Sequence, residues 1–180
     1  MAPTTIRLAE ARDLPAVCTI INYYIERTTI NFRTAPQTPE EWTADWMEYH
    51  RRYPWLVATE AERVVGIAYA TPWEARAAYD WCTETTVYVG PGSERRGIGR
   101  RLYQRLFELM DRQGYHSQVA VIALPNESSV ALHEAFGFRH VGTLREAGHK
   151  HGAWRDVGLW QRSTGTSHDP ARPLLPVPGV

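Results

Sequence analysis

The segment Arg95-Arg96-Gly97-Ile98-Gly99-Arg100-Arg101 has the composition of a binding site. It follows the β-branched and aromatic run Val87-Tyr88-Val89 after a short loop and leads into a helical pattern. A strand, a glycine turn and a helix N-terminus gather free backbone N–H groups and a positive dipole end around one point. Such a point holds an anion, and a pyrophosphate suits it. Gly97 and Gly99 allow close approach of the backbone, and the neighbouring arginines add charge. The same residues also describe a glycine turn opening a solvated basic helix. Two other phosphate sites are excluded. No Gly-Lys-Ser/Thr occurs in the chain, and the third glycine of a dinucleotide fingerprint is replaced by Leu102.

Upstream, the run Thr83 to Val89 alternates. Period two sends Glu84, Thr86 and Tyr88 to one face and Thr85, Val87 and Val89 to the other. A carboxylate, a hydroxyl and a phenol thus stand in line on the strand that feeds the glycine turn. Downstream, Asn126 opens a short helix and His133 follows seven residues later among apolar neighbours.

Strand Val-x-Val, then a basic Gly-x-Gly turn, then a helix, with the later Asn126 and His133, resembles the GNAT acetyltransferases. Longer stretches resemble the phosphinothricin N-acetyltransferase branch of that family. They are Tyr53–Ala58, Gly66–Ala70, Ala78–Trp81, Thr86–Val89, Val119–Asn126 and Lys150–Gly158. The resemblance covers about residues 5 to 161. It implies acetyl-CoA as co-substrate, held by Val87, Tyr88, Val89, Arg95, Arg96, Gly97, Ile98, Gly99, Arg100 and Asn126. It implies acetyl transfer to an amine in a ternary complex. That reaction needs a neutral amine, a polarised thioester carbonyl and a proton for the departing thiolate. Glu84 is then the expected general base. His133 is either a proton donor beside the sulfur or a core histidine. By resemblance the acceptor's anionic groups meet Tyr69, Arg76, Tyr79, Thr86 and Tyr88, with Phe32 covering one wall, an arginine gripping a carboxylate through paired hydrogen bonds. Two positions depart from the branch: Glu94 stands where Gln or Arg is usual, and Glu74 follows Trp73 where a base is usual. An acid beside an anionic ligand weakens binding, so acceptors of the methionine sulfoximine or sulfone type stand beside phosphinothricin.

These residues need elements to hold them. The pattern predicts strands at Ile6–Ala9, Trp55–Thr59, Val64–Thr71, Thr83–Val89, Val119–Leu124, Phe138–Arg145 and Trp154–Gln161. Helices are expected from Leu14 to about Glu26 behind Asp13 as N-cap, from a Thr38–Glu41 capping box through Tyr49, over Arg100–Gln113, and over Asn126–Phe136. The fold class is α/β or α+β, one domain with a central mixed, mostly antiparallel sheet and helices on both faces. Residues 1–162 form the domain, and the proline-rich 163–180 reads as a flexible or surface-draped extension.

Composition sets the outer bounds. In 180 residues, 43% hydrophobic, there is room for one core. Twenty basic side chains balance twenty acidic ones, which argues against nucleic acid or an anionic membrane as partner. Cys18 and Cys82 lie far apart in unlike contexts, so free thiols are expected and no metal site. No run approaches the length of a membrane span and the N-terminus has no apolar core, so a cytoplasmic enzyme is expected. The resemblance adds a homodimer. Two other functions share the pattern: acetylation of a protein or peptide N-terminus, which needs an open groove, and a silent acyl-CoA-binding module, which needs no Glu84.

Overall fold

The computed structural model describes residues 3–165 and 171–179. Seven strands form one sheet in the order β1-β2-β3-β4-β5-β7-β6. They are β1 (Thr5–Leu8), β2 (Trp55–Glu60), β3 (Arg63–Pro72), β4 (Cys82–Val89), β5 (Ser117–Ala123), β6 (Arg139–Lys150) and β7 (Ala153–Ser163). All neighbours are antiparallel except β4 and β5. A parallel pair needs a crossover, and α3 (Ile98–Gln113) supplies it.

Each face of the sheet carries its own core. On one, α3 buries Leu102, Tyr103, Leu106 and Met110 against Leu56, Ala58, Ala68 and Ala120. Burying each such large apolar side chain contributes about 1.5–3 kcal/mol. On the other, α1 (Leu14–Arg27) and α2 (Pro39–Tyr49) bury Val17, Ile21, Ile25 and Trp42 against Trp55, Val57 and Ile67. Period-two strands make this possible, since alternate residues of β2 and β3 feed opposite cores. The short α4 (Glu127–Glu134) lies beside β5.

Caps follow the sequence in one case and not in another. Thr38 and Glu41 form the expected box, with Glu41 N–H donating to Thr38 Oγ1 at 3.2 Å and Thr38 N–H to Glu41 Oε2 at 2.7 Å. Asp13 precedes α1 but does not cap it, because Arg7 donates to both of its carboxylate oxygens at 2.6 and 2.8 Å. Strand β6 runs to Lys150, beyond the expected Arg145, with a register break between Leu144 and Gly148.

Residues 171–179 lie against the domain. Trp81 Nε1 donates to the Arg172 carbonyl at 2.6 Å, Leu175 exchanges bonds with Gln113, and Val177 N–H donates to the Arg51 carbonyl at 3.1 Å. Val177 is buried. Among the described residues no helix is long and apolar enough to cross a membrane, and no cluster of potential metal ligands occurs.

Candidate active site

The site begins where β4 and β5 part. They pair only at Cys82–Ser117, Thr83–Gln118 and Glu84–Val119. Beyond Glu84, β4 stays with β3 as far as Val89 and β5 stays with β7 as far as Ala123. The two therefore diverge, and a cavity of about 780 Å³ opens between Thr85–Val89, the start of α3, and Val121–Ala123. Backbone groups along the inner edge of β4 lack a strand partner here. One carbonyl is met by a phenol instead: Tyr24 donates to Val89 O at 2.6 Å.

One mouth of this cavity is the glycine turn. Helix α3 starts at Ile98, two residues earlier than its apolar spacing suggests, so Gly97 is the N-cap. Gly97 has φ of 75°, a left-handed conformation that glycine takes without strain, and no side chain caps the helix. The first N–H groups of α3 therefore face the cavity without protein acceptors. Arg95 and Arg100 border it with Ile98 and Gly99. Arg96 does not: its guanidinium is turned to Glu60, at 2.6 and 3.2 Å. Glu94 accepts from Gly92 N–H at 2.8 Å, so one oxygen of its carboxylate is bound back onto its own loop.

On the opposite face a smaller cavity of about 170 Å³ is bordered by Glu84 and Thr86 from the predicted stripe, by Tyr69 and Thr71 of β3, and by Trp55 of β2. Thr86 borders both cavities. Trp55 stacks on Tyr69 with centroids 4.5 Å apart, and Trp42 meets both edge-on at 5.8 Å. Burial alone holds the Glu84 carboxyl above the ordinary carboxylate range, and no ion-pair partner stands by it among the described residues. Asp45 is also raised by burial, an effect that Arg33 partly offsets. Tyr88, last of the stripe, accepts from Asn31 Nδ2 at 3.0 Å.

The cation at this cavity is Arg33. Arg76, expected to grip the acceptor, is exposed and pairs with Glu74 at 3.5 Å in the loop before β4. Tyr79 is likewise exposed, under the Arg76 guanidinium. Within one chain neither Glu74, Arg76 nor Tyr79 borders the cavity, because the loop of residues 73–81 leads away from it. Phe32 packs on Gly148 of β6, while its neighbours Asn31 and Arg33 face the cavity. Arg33, Asp45 and Trp42 carried no sequence signal, since each sits in a loop or helix whose pattern reads as ordinary surface or core.

Asn126 and His133 border the larger cavity. Asn126 caps α4, accepting from Ser129 N–H at 3.2 Å. The Ser129 carbonyl, 2.7 Å from His133 Nδ1, can only accept, which puts the ring proton on Nδ1. His133 Nε2 is then an acceptor, 2.8 Å from the Tyr103 hydroxyl. Burial lowers the pKa of His133, so the ring is neutral near pH 7. Both ring nitrogens are thus engaged, and the buried ring lines the cavity.

The sequence matches the GNAT acetyltransferase domain over residues 6–159. It is 55% identical over 175 residues to phosphinothricin N-acetyltransferase of Streptomyces viridochromogenes, covering 97% of this chain and 95% of that one. It is 31% identical to L-methionine sulfoximine/L-methionine sulfone acetyltransferase of Salmonella typhimurium, covering 87% of this chain and 92% of the other. The crystal structure of a phosphinothricin acetyltransferase from Sinorhizobium meliloti with acetyl-CoA superposes with a TM-score of 0.89 at 30% identity. That match covers 98% of this chain and 95% of the other.

Proposed function

The chain belongs to the GNAT family and is an acetyl-CoA-dependent acyltransferase, and from that premise we propose that its acceptor is the amino group of a small amino-acid-like molecule of the phosphinothricin or methionine sulfoximine type. The observation that carries the reading is the vertex at Glu84. There a carboxylate raised by burial borders a small, aromatic-lined cavity, at the point where β4 and β5 part to admit an extended ligand.

The reaction follows from that arrangement. The open edge of β4 and the first N–H groups of α3 receive the amide arm and the pyrophosphate of acetyl-CoA, with Arg95 and Arg100 beside them. The acceptor enters from the smaller cavity, its carboxylate toward Arg33 and its amine toward Glu84. Glu84, directly or through one water, takes a proton from the ammonium. The freed nitrogen attacks the thioester carbonyl in the ternary complex, forming the C–N bond as the C–S bond breaks. The thiolate leaves into the cavity and takes up the second proton, which the new amide nitrogen sheds, so no acid from His133 is needed.

Binding of a zwitterion needs both signs of charge, and Arg33 and Asp45 supply them. A cavity of about 170 Å³ suits an amino acid better than a peptide terminus, which disfavours the protein-acetylating alternative. The exposed apolar residues Val141, Leu144 and Trp154 on β6 and β7, beside an unpaired strand edge, support a homodimer. Free Cys18 and Cys82 suit a reducing compartment, the cytoplasm. Thiol release from acetyl-CoA, measured with amino acids, phosphinothricin, methionine sulfoximine and a short peptide, tests the proposal. Turnover with the small zwitterions is expected. Turnover with the peptide alone, or with no amine despite tight coenzyme A binding, would refute it.

A further inference from the structure

Lys150 is a buried ammonium that the chemistry above does not use. It is 6% exposed at the end of β6, and no carboxylate lies within ion-pairing distance among the described residues. Its Nζ donates to the Ile25 carbonyl at 2.5 Å and to the Asn31 carbonyl at 2.6 Å. The first acceptor lies in the last turn of α1, where the helix dipole is negative and welcomes a cation. The second lies in the loop that joins α1 to α2.

That loop carries acceptor-cavity residues, and its internal bonds lead from the lysine to the cavity. The Asn31 side chain donates to Tyr88 Oη at 3.0 Å and accepts from Arg33 N–H at 2.9 Å. Asn31 and Arg33 border the same cavity as Glu84. Between them Phe32 lies flat on β6 at Gly148, where a Cβ would come within 2.1 Å of the ring. Two residues of β6, on the same face of the strand, therefore hold Asn31 and Phe32 from below, and Arg33 follows through its bond to the Asn31 side chain.

We infer that Lys150 is a positioning residue for acceptor binding: by tying the loop at Asn31 to β6, it sets where Arg33 stands opposite Glu84. The inference rests on the acceptor reading proposed above. A cation that only closed α1 would affect stability, whereas one that positions Arg33 affects recognition of the acceptor.

The test compares wild type, Lys150→Met, Lys150→Arg and Gly148→Ala in steady-state kinetics varied in each substrate, with acetyl-CoA binding measured by calorimetry. Lys150→Met keeps the length and removes the charge. It is expected to raise the acceptor KM about ten-fold or more while the acetyl-CoA KM stays within about two-fold, with Lys150→Arg recovering part of the loss. Gly148→Ala, which lifts Phe32, is expected to raise the acceptor KM in the same way. An unchanged acceptor KM in folded Lys150→Met overturns the inference, whatever its melting temperature. If Lys150→Met no longer binds acetyl-CoA, Gly148→Ala decides, and an unchanged acceptor KM there overturns it. A wild type that acetylates no small zwitterion refutes the proposed function and this inference together, whereas an active wild type with unaltered variants refutes this inference alone.

Discussion

As the proposed base, Glu84 would serve chemistry at the expense of stability. Its carboxyl pKa is raised by burial, so the folded state binds the proton more tightly than the unfolded chain does. With that sign, its stabilising contribution is present below the unfolded-state pKa and is lost as pH rises through the raised one. At neutral pH the ionised carboxylate is a net cost. Glu84→Gln should therefore lower kcat by about a hundred-fold or more while its melting temperature equals or exceeds that of wild type. Calorimetry beside the thiol-release assay checks both halves, and a melting temperature well below wild type would contradict the account. The same buried base predicts that kcat/KM rises with pH through a value above that of an ordinary carboxylate. His133 makes the opposite case, because both ring nitrogens are engaged. His133→Gln, which can still accept from Tyr103, should keep kcat within about ten-fold of wild type, less than the loss of a general acid.

At the level of elements, the proposed cradle at the α3 N-terminus rests on a left-handed Gly97 and on first amides that no side chain among the described residues caps. Any other residue at that φ costs about 1–2 kcal/mol, and a β-branched one more. Gly97→Val should raise the acetyl-CoA KM and leave the acceptor KM within about two-fold, the reverse of the pattern expected from Lys150→Met. Much of this was legible beforehand. The glycine turn, the strand alternation and the Thr38–Glu41 box are short-range patterns, and short-range patterns report local backbone geometry directly. Arg33 was not legible, because a loop arginine has no periodicity to mark it. Arg76 stood out from resemblance alone, and within a single chain its loop points elsewhere.

For the molecule as a whole, the chain end belongs to the folded unit. Residues 172–177 bond to Trp81, Gln113 and Arg51 and bury Val177, so the segment bridges the start of β4, the end of α3 and the turn before β2. Truncation after residue 170 removes the buried Val177 and the Arg172 and Leu175 carbonyls that accept from Trp81 Nε1 and Gln113 Nε2, a loss of about 2–3 kcal/mol. In a chain of this size that corresponds to a fall in melting temperature on the order of 5–10 °C, measurable by differential scanning calorimetry. An unchanged melting temperature would show the segment to be a passenger. Proline spacing alone left open whether the segment is flexible or draped, since proline removes donors without saying what the remaining backbone meets.

The sequence by itself determined the elements, the two-faced alternation of β4, the glycine turn at Gly97 and the stripe led by Glu84. Each is a matter of neighbours along the chain, where residue type and backbone geometry are tightly coupled. Only the tertiary structure decided that β4 and β5 part at Glu84, that Arg33 rather than Arg76 borders the cavity beside Glu84, and that Lys150 of β6 bonds to the loop bearing Arg33. Those juxtapositions join residues up to 125 positions apart, as in the bond from Lys150 to Ile25. They depend on which strand pairs where and on how far a hairpin reaches back, and packing of the two cores sets both.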